Sequence, residues 1–342
     1  MDPFASRTLG KTELKLPSLG LGGAPLGNSS GVVSDPQSDA TLATAWDSGI
    51  RFYDTSPFYG RGLSEHRIGR LLRNYPKSES ILTTKIGRVF RAPDDPVAFA
   101  RSVRSWPEGL HFEFKHDYSY DGIMRSYEDS LQRLGLNRVD ALLIHDLDLG
   151  AIGDEAQVTA HFGTLVRTGI HALNELKSTG LIKAIGAGIN RTGTIPRFLD
   201  VLDIDFFLVA GPYTLADQPG LDAEFPLCEK RGVGLVIGQV FASGILATGP
   251  VPGARYGYSQ APREILERVS RMQAICLKHD VPLAAAALQF PLHHPLVAAV
   301  IPGAFAPEQV ARNIETMRVE IPPQLWHDLK VDGLLRDDAP TP

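Results

Sequence analysis

The sequence RFYDTSPFYG, residues 51–60, runs from a short apolar segment into a tight loop. Apolar and aromatic residues predict a buried strand over 50–54, and this strand stops before Pro57 because proline donates no hydrogen bond to a strand ladder. Asp54 therefore stands at the C-terminal end of the strand, and Tyr59 follows it in a loop that Gly60 closes. The stretch predicts a strand that carries two polar side chains at its C-terminal end.

Two more ionisable residues follow predicted strands in the same way. Lys85 comes directly after ILTT (81–84), and His145 comes directly after ALLI (141–144). The C-terminal ends of parallel strands lie at one edge of a sheet, so neighbouring strands would bring these two side chains close to Asp54 and Tyr59. We expect a functional site at that edge.

Strands and helices alternate along the rest of the chain. Runs of consecutive apolar residues predict eight core strands, at 19–23, 50–54, 81–84, 139–144, 183–188, 205–209, 233–237 and 297–301. Apolar residues at helical spacing predict helices at 37–48, 65–73 (with Ser64 as N-cap), 121–134, 160–179, 194–202, 222–231, 262–279, 283–290, 307–318 and 323–331. The segment 86–119 is long and irregular, and loops of that length are usually functional.

This pattern predicts an α/β protein with a (β/α)8 TIM-barrel fold. Consecutive apolar residues are typical of parallel strands that helices cover on both faces. A β-hairpin at 7–17 would cap the N-terminal end of the barrel, and extra helices would follow it at the C-terminus. The alternative is an open doubly wound sheet, but eight regular strand–helix units favour a closed barrel over an open sheet. We expect a single domain over 1–342, with a core at about 7–331 and a flexible tail at 332–342.

Composition excludes several classes of function. The chain has 342 residues, 43% of them apolar, and a formal net charge of −5, which argues against a nucleic-acid surface. No apolar run approaches the length of about 20 residues that spans a bilayer, and the N-terminus lacks the features of a signal peptide. Cys228 and Cys276 are expected to be free buried thiols of a cytoplasmic protein.

Weaker motifs point to two other kinds of site. Gly20-Leu21-Gly22 invites a dinucleotide-fold interpretation, but a loop at 25–31 separates these glycines from the next helix, whereas in that fold the helix starts at the glycines. His293-His294 has no carboxylate or cysteine partner at ligand spacing. We therefore predict no metal site.

The order of the four polar residues resembles the catalytic tetrad of the aldo-keto reductase family. FYDTSPFYGRGLSEHRIG (52–69) is similar to the family signature, and LTTKIG (82–87) and YEDSLQRLGLNRVDALLIHD (127–146) support the resemblance, which runs from about Leu9 to Asn313. Taken singly, each of the four residues has an ordinary structural explanation. Four separated motifs in the correct order make the combined signal specific.

The resemblance implies a hydride transfer between a nicotinamide and a carbonyl or alcohol carbon. Such a reaction needs a group that gives or takes a proton at the oxygen. We assign Tyr59 as this acid/base, and expect the Lys85 ammonium to lower its pKa. Asp54 would pair with Lys85, and His145 would orient the substrate oxygen.

The resemblance also implies a cofactor site across the barrel mouth. Asn190 matches the residue that holds the nicotinamide carboxamide, and FASGIL (241–246) matches the pyrophosphate loop, which includes Phe241, Ser243, Gly244 and Leu246. IPGAFAPEQVARN (301–313) matches the adenosine side, with contacts expected from Gly303, Gln309 and Asn313. Either Gln239 or Phe241 would fill the place of the tyrosine that many members stack on the nicotinamide.

The adenosine side departs from the family pattern. Members that use NADP usually carry a lysine or serine after this strand and an arginine a few residues later, whereas this chain has Gly303, Ala304 and Gln309. A dianionic 2′-phosphate would lack its cation there. We therefore predict NAD rather than NADP.

Within the family, the sequence resembles bacterial NAD-dependent aldose 1-dehydrogenases acting on L-fucose and D-threo-aldoses. GGAPLGN (22–28), DYSYDGIMRSYEDSLQRLGL (117–136) and LIHDLD (143–148) carry this likeness. It implies oxidation of a cyclic hemiacetal at C1 to a lactone. A pyridoxal 4-dehydrogenase, which treats another cyclic hemiacetal in this way, is the alternative, because the 86–119 segment offers both polar and aromatic residues.

Two other classes remain open on the sequence. One is a non-catalytic relative, such as the channel-associated β subunits, against which the intact tetrad argues. The other is a general NADP-dependent carbonyl reductase. The expected partner is a small molecule, a sugar or a pyridoxal-like compound, and neither nucleic acid nor a membrane; the oligomeric state is not readable.

Overall fold

A computed structural model describes residues 1–29 and 31–342; the predicted 25–31 loop includes Ser30, which lies outside the described residues. The strands are β1 (Ser6–Thr8), β2 (Lys15–Pro17), β3 (Leu21–Gly22), β4 (Phe52–Asp54), β5 (Ile81–Ile86), β6 (Arg88–Arg91), β7 (Glu113–His116), β8 (Ala141–His145), β9 (Ala184–Ile189), β10 (Phe206–Ala210), β11 (Gly234–Gly238), β12 (Arg255–Tyr256), β13 (Ser259–Gln260) and β14 (Val297–Val300).

Eight of these strands form one parallel sheet that closes on itself. Their spatial order is β3, β4, β5, β8, β9, β10, β11 and β14. The Gly20 amide donates to the Val300 carbonyl oxygen at 2.9 Å, and parallel bridges join Leu19 to Val300 and Gly22 to Gly303. The sheet therefore has no free edge at this junction, which confirms the (β/α)8 barrel and excludes the open doubly wound sheet.

Helices cover the outside of the barrel. They are α1 (Asp35–Asp47), α2 (Leu63–Leu72), α3 (Pro96–Ser102), α4 (Tyr120–Leu134), α5 (Leu149–Ile152), α6 (Glu155–Thr164), α7 (Ile170–Ser178), α8 (Ile195–Val201), α9 (Glu224–Arg231), α10 (Ile245–Thr248), α11 (Arg263–Lys278), α12 (Leu283–Gln289), α13 (Pro307–Arg318) and α14 (Pro323–Val331). Each predicted helix is present within a few residues, apart from the one at 160–179.

Two local predictions are corrected by the structure. A π-helical turn, Leu165–Gly169, separates α6 from α7 where one helix was predicted. At Gly169, the last residue of this turn, a Cβ atom would lie 2.2 Å from the Tyr118 carbonyl oxygen. The π-helical turn therefore lies where the loop before α4 packs closely against it. Ser64 is not the N-cap of α2, because it lies inside the helix and its hydroxyl donates to the Gly23 carbonyl oxygen at 2.8 Å.

The hairpin β1–β2 caps the N-terminal end of the barrel, as predicted. Leu9, Leu14 and Leu16 are buried in one cluster with side chains of the barrel interior. The turn fits closely against β11, since a Cβ atom at Gly10, where φ is +52°, would lie 2.5 Å from the Gly234 nitrogen. Glycine is the residue that tolerates both the positive φ and this approach.

Two segments are more ordered than the sequence indicates. The 86–119 segment contains the antiparallel hairpin β6–β7, in which Arg88 pairs with His116, together with helix α3. The 332–342 segment, for which the sequence predicts a flexible tail, buries Leu334, Leu335 and Ala339. Burial of these apolar side chains favours a fixed position for the C-terminal segment.

The two cysteines are unpaired and buried, as expected. Burial raises the pKa of the Cys228 thiol, and that of Cys276, to about 12, which makes both poor nucleophiles. Across residues 1–29 and 31–342, the structure contains no helix that is long and apolar enough to cross a membrane.

Candidate active site

Three neighbouring strands bring the four predicted catalytic residues together at the C-terminal end of the barrel. Asp54 ends β4, Lys85 lies near the end of β5, and His145 ends β8. These strands are adjacent and parallel. Tyr59 reaches the same place from the loop after β4, with its ring centre 5.8 Å from that of His145.

Asp54 and Lys85 form a buried ion pair. The Lys85 ammonium donates to both Asp54 carboxylate oxygens, at 2.9 and 2.7 Å, and to the Thr55 carbonyl oxygen at 2.8 Å. Thr83 donates a further hydrogen bond to Asp54 at 2.7 Å. Burial raises the pKa of Asp54, and the attraction to Lys85 opposes this shift. The pair fixes the Lys85 ammonium below Tyr59, with its charge balanced by Asp54.

Tyr59 lies directly over this charge. The Lys85 Nζ atom is 4.7 Å from the centre of the Tyr59 ring. Burial, followed by the carboxylates of Asp54 and Asp146, raises the pKa of Tyr59 well above its ordinary value. The pKa of Tyr59 is therefore raised rather than lowered, contrary to the expectation, because burial and the Asp54 carboxylate beside Lys85 favour the neutral phenol.

His145 is neutral and fixed by its neighbours. Burial, helped by the charges of Arg88 and Lys85, lowers the pKa of His145 well below its ordinary value. The His145 Nδ1 atom lies 3.0 Å from the Ser56 hydroxyl, and its Nε2 atom lies 3.2 Å from a carboxylate oxygen of Asp146. The contact with Asp146 is electrostatic rather than an aligned hydrogen bond, and a negative charge at this distance favours the tautomer with the proton on Nε2, in which Nδ1 accepts from Ser56.

The prediction missed Arg88, a buried cation beside this group. Its Nη2 atom lies 3.2 Å from Asp146, and its guanidinium stacks 4.2 Å from the centre of the Phe58 ring. Its Nε and Nη1 atoms are buried and have no hydrogen-bond partner among the described residues. One signal in the sequence could have found it, namely a charged residue between Gly87 and an apolar run.

Aromatic rings form a wall next to Tyr59. The ring centres of Tyr59 and Trp106 are 5.5 Å apart. Phe58 contacts Trp106 and Phe114 edge-on, at 6.0 and 5.4 Å. Trp106 and Phe114 come from the 86–119 segment, so this segment contributes one side of the candidate substrate site.

A cavity of about 420 Å³ lies at the ends of β9, β10 and β11, and Asn190 in its lining donates to Asp146, which contacts His145. Asn190 and Gln239 are among its lining residues. Gln239 Nε2 is buried in this lining, with the Tyr258 side chain beside it. The position of Gln239 in this lining favours it over Phe241 as the residue next to a nicotinamide ring.

The loop after β11 has an unusual backbone. Gln239, Ala242 and Ser243 adopt positive φ angles of 51°, 47° and 63°, and Gly244 follows at 108°. The Ala242 and Gly244 amides donate within the loop, to the Gln239 and Phe241 carbonyl oxygens at 2.7 and 2.8 Å, and these bonds hold the turn. An amide-lined cavity at these strand ends fits the nicotinamide end of a dinucleotide, and the chemistry that such a cofactor supplies when bound is hydride acceptance.

The other predicted cofactor residues lie in different surroundings. Phe241 is half-buried against the core, and Leu246 is fully buried in it. The Ser243 hydroxyl accepts from the Tyr258 amide at 2.9 Å. Gly303 bridges to Gly22 at the barrel seam.

The last two residues of this set lie on α13. The Gln309 side chain accepts from the Phe305 amide at 2.9 Å, so this side chain holds the loop before the helix. Asn313 is half-buried one turn further along the same helix. No group of three metal-ligating side chains occurs among the residues that the structure describes.

This geometry places a tyrosine above a buried lysine–aspartate pair, with a histidine beside it, as expected for an oxidoreductase of the family that the sequence resembles. The Aldo/keto reductase family profile matches residues 18–330, and the chain belongs to this family. It is 41% identical to a pyridoxal 4-dehydrogenase of Microbacterium luteolum, over 96% of this chain and 97% of that protein. It is 39% identical to a D-threo-aldose 1-dehydrogenase of a Pseudomonas species, over 96% of each chain.

Solved structures agree with the fold. An aldo-keto reductase (AKR11C1) from Bacillus halodurans in its holo form superposes with a TM-score of 0.74, at 25% identity and 97% coverage of both chains. The family uses nicotinamide cofactors, and the named relatives support an oxidoreductase that acts on CH–OH donors.

Proposed function

We propose that the protein oxidises a cyclic hemiacetal to a lactone, with NAD as the hydride acceptor. The observation that carries this proposal is the arrangement of Tyr59 and neutral His145 around one point, which Asp146 links to Asn190 in the lining of the cavity. Tyr59 takes the hydroxyl proton, and His145 donates a hydrogen bond to the same oxygen. Both relatives at about 40% identity have names that fit this reaction.

An aldose of the L-fucose or D-threo type is the proposed substrate. Sugar hydroxyls both donate and accept, and are recognised by charged and amide side chains. Such groups lie beside His145. Asp146 accepts hydrogen bonds from both Arg88 and Asn190, and it also contacts the His145 ring. This polar side of the site favours a polyhydroxylated substrate.

Pyridoxal is the second candidate, and a specific observation favours it. The Trp106 ring lies 5.5 Å from that of Tyr59, and Phe58 and Phe114 extend the wall. A flat pyridine ring would stack there. Pyridoxal forms a cyclic hemiacetal of its own, so the same proton transfer applies to it.

The preference for NAD rests on the start of α13. The first turn of this helix carries Glu308 and no basic residue. A 2′-phosphate placed there would meet a carboxylate rather than a cation, whereas a 2′-hydroxyl would not be repelled. Arg312 lies a turn further along the helix and is exposed.

The proposal also covers the partners of the protein and its cellular compartment. A formal net charge of −5 disfavours nucleic acid as a partner. Two unpaired thiols, Cys228 and Cys276, favour the reducing conditions of the cytoplasm.

An absorbance assay of NADH formation tests the reaction. The protein is offered L-fucose, D-arabinose and pyridoxal, each with NAD and with NADP. Turnover of the sugars with NAD supports the leading proposal. Turnover of pyridoxal alone would support pyridoxal as the substrate instead. Turnover with NADP only, or with no hemiacetal, would overturn the proposal.

A variant separates the two substrates. Trp106→Ala removes one side of the aromatic wall, and a stacked ring contributes about 0.5–1.5 kcal/mol beyond its buried area. We expect kcat/KM for pyridoxal to fall more than that for L-fucose. Phe112→Ala, in the same segment but stacked on Phe90 instead, is the control.

A further inference from the structure

The Asp146 carboxylate is the meeting point of three side chains. One oxygen accepts from the Asn190 amide nitrogen at 2.8 Å. The other lies 3.2 Å from Arg88 Nη2 and 3.2 Å from His145 Nε2. His145 belongs to the substrate side of the site and Asn190 to the cofactor side, so a single carboxylate touches both.

The backbone at Asp146 shows that this position is constrained. Its φ is +46°, in the left-handed region that non-glycine residues seldom occupy. Such a conformation persists where the surrounding contacts over-determine it, and it is found more often at functional sites. The left-handed turn directly after His145 places the Asp146 side chain back against the histidine ring.

The chemistry of the acceptor fixes both neighbours. Because a carboxylate cannot donate, Asn190 must turn its NH₂ group towards it, and the negative charge 3.2 Å from His145 Nε2 favours a proton on that nitrogen. The Asn190 carbonyl oxygen is then left to accept hydrogen bonds from the cavity, which is what a carboxamide NH₂ group requires. Without Asp146, neither the histidine tautomer nor the orientation of the amide would be specified from this side.

We propose that Asp146, held in place by Arg88, is a positioning residue that orients His145 towards the substrate and Asn190 towards the cofactor. This inference rests on the proposed function for its catalytic half. Its cofactor half needs only that the protein binds NAD. Arg88 acts through Asp146 and supplies the counter-charge that lets a half-buried carboxylate stay ionised.

Asp146→Asn is the first test. The asparagine keeps the shape but offers one acceptor atom where the carboxylate offers two, so the Asn190 amide loses its partner or reverses. Hydrogen bonds to charged groups are among the stronger ones, so we expect the Kd for NAD, measured by isothermal titration calorimetry, to rise roughly tenfold. We expect kcat with the best of the three hemiacetal probes to fall by roughly tenfold or more. Asp154→Asn, the same change at an exposed helix N-cap, should leave Kd and kcat unchanged.

Double-mutant cycles separate positioning from a general structural effect. If Asp146 acts on NAD through Asn190, the increases in Kd caused by Asp146→Asn and Asn190→Ala will not be additive. The losses in kcat caused by Asp146→Asn and His145→Gln will not be additive either. Additive losses, or a Kd and kcat within about twofold of wild type at an unchanged melting temperature, would overturn the proposal.

A second variant covers the case in which Asp146→Asn unfolds because Arg88 loses its counter-ion. Arg88→Met/Asp146→Asn removes the buried charge as well, and should regain the melting temperature while keeping the raised Kd and lowered kcat. Recovery of wild-type Kd and kcat by this variant would refute the inference. If the wild type turned over no hemiacetal, the proposed function would fail, whereas the calorimetric cycle would still decide the role of Asp146.

Discussion

Replacing Lys85 with methionine should destabilise the protein by an amount that the structure allows to be calculated. Lys85 and Asp54 expose only 1% and 2% of their side chains. Removal of one partner leaves a buried charge without compensation, which costs about 3–5 kcal/mol. An unfolding entropy of about 2.1 cal/mol/K per residue gives about 0.7 kcal/mol/K for this chain, so a loss of about 4 kcal/mol lowers the Tm by about 6 °C.

The double variant Asp54→Asn/Lys85→Met distinguishes stability from catalysis. It removes both charges, and the amide can still accept from Thr83, so most of the lost stability should return. Turnover should be absent from both variants, because neither has a cation beneath Tyr59. Arg263→Met is the control, since its ion pair with Glu267 is exposed and worth at most about 1 kcal/mol.

Differential scanning calorimetry and the NADH assay, performed on all three variants, make the comparison. A Lys85→Met protein that melts within about 2 °C of wild type would refute the calculation. So would a double variant that melts below the single one. Turnover by either variant would remove Lys85 from the proposed mechanism.

Three further outcomes can be checked. Since burial and nearby carboxylates raise the pKa of Tyr59, little of it is deprotonated near neutral pH, and the oxidative kcat/KM should rise from about pH 7 to about pH 10; a flat profile contradicts this. Glu308→Lys should raise the ratio of NADP to NAD kcat/KM by roughly tenfold, and an unchanged ratio would show that α13 does not meet the 2′-phosphate. Gly69→Ala would place a Cβ atom 2.1 Å from the Leu134 carbonyl oxygen and should cost about 1–3 kcal/mol in the free energy of unfolding, whereas Gly163→Ala, near only a flexible arginine, should be neutral or stabilising in chemical denaturation.

Much of the barrel was predictable because its signals are local. Consecutive apolar residues mark strands that are buried on both faces, and the helices between them have their own periodicity. The split of the predicted 160–179 helix was not predictable in this way. The π-helical turn contains Gly169, which packs against the Tyr118 carbonyl oxygen. This is a contact between distant parts of the chain.

The error over the Tyr59 pKa has a similar cause. The sequence places a lysine at the right strand end, but the effect of its charge depends on how completely Asp54 neutralises it and on how deeply the phenol is buried. The close contacts of Lys85 Nζ with both Asp54 oxygens and the burial of Tyr59 became visible only in three dimensions. The sequence identified the Tyr59 phenol, whereas its pKa depends on the tertiary structure.

By itself, the sequence determined the parallel barrel and the placing of Asp54, Lys85 and His145 at the ends of three strands, because strand ends and apolar runs are properties of short segments. Only the tertiary structure decided which charged groups meet. Asp146 lies 58 residues from Arg88 and 44 residues from Asn190, yet bonds to both. Sheet order and barrel closure bring these residues together, and no short segment of the chain contains that information.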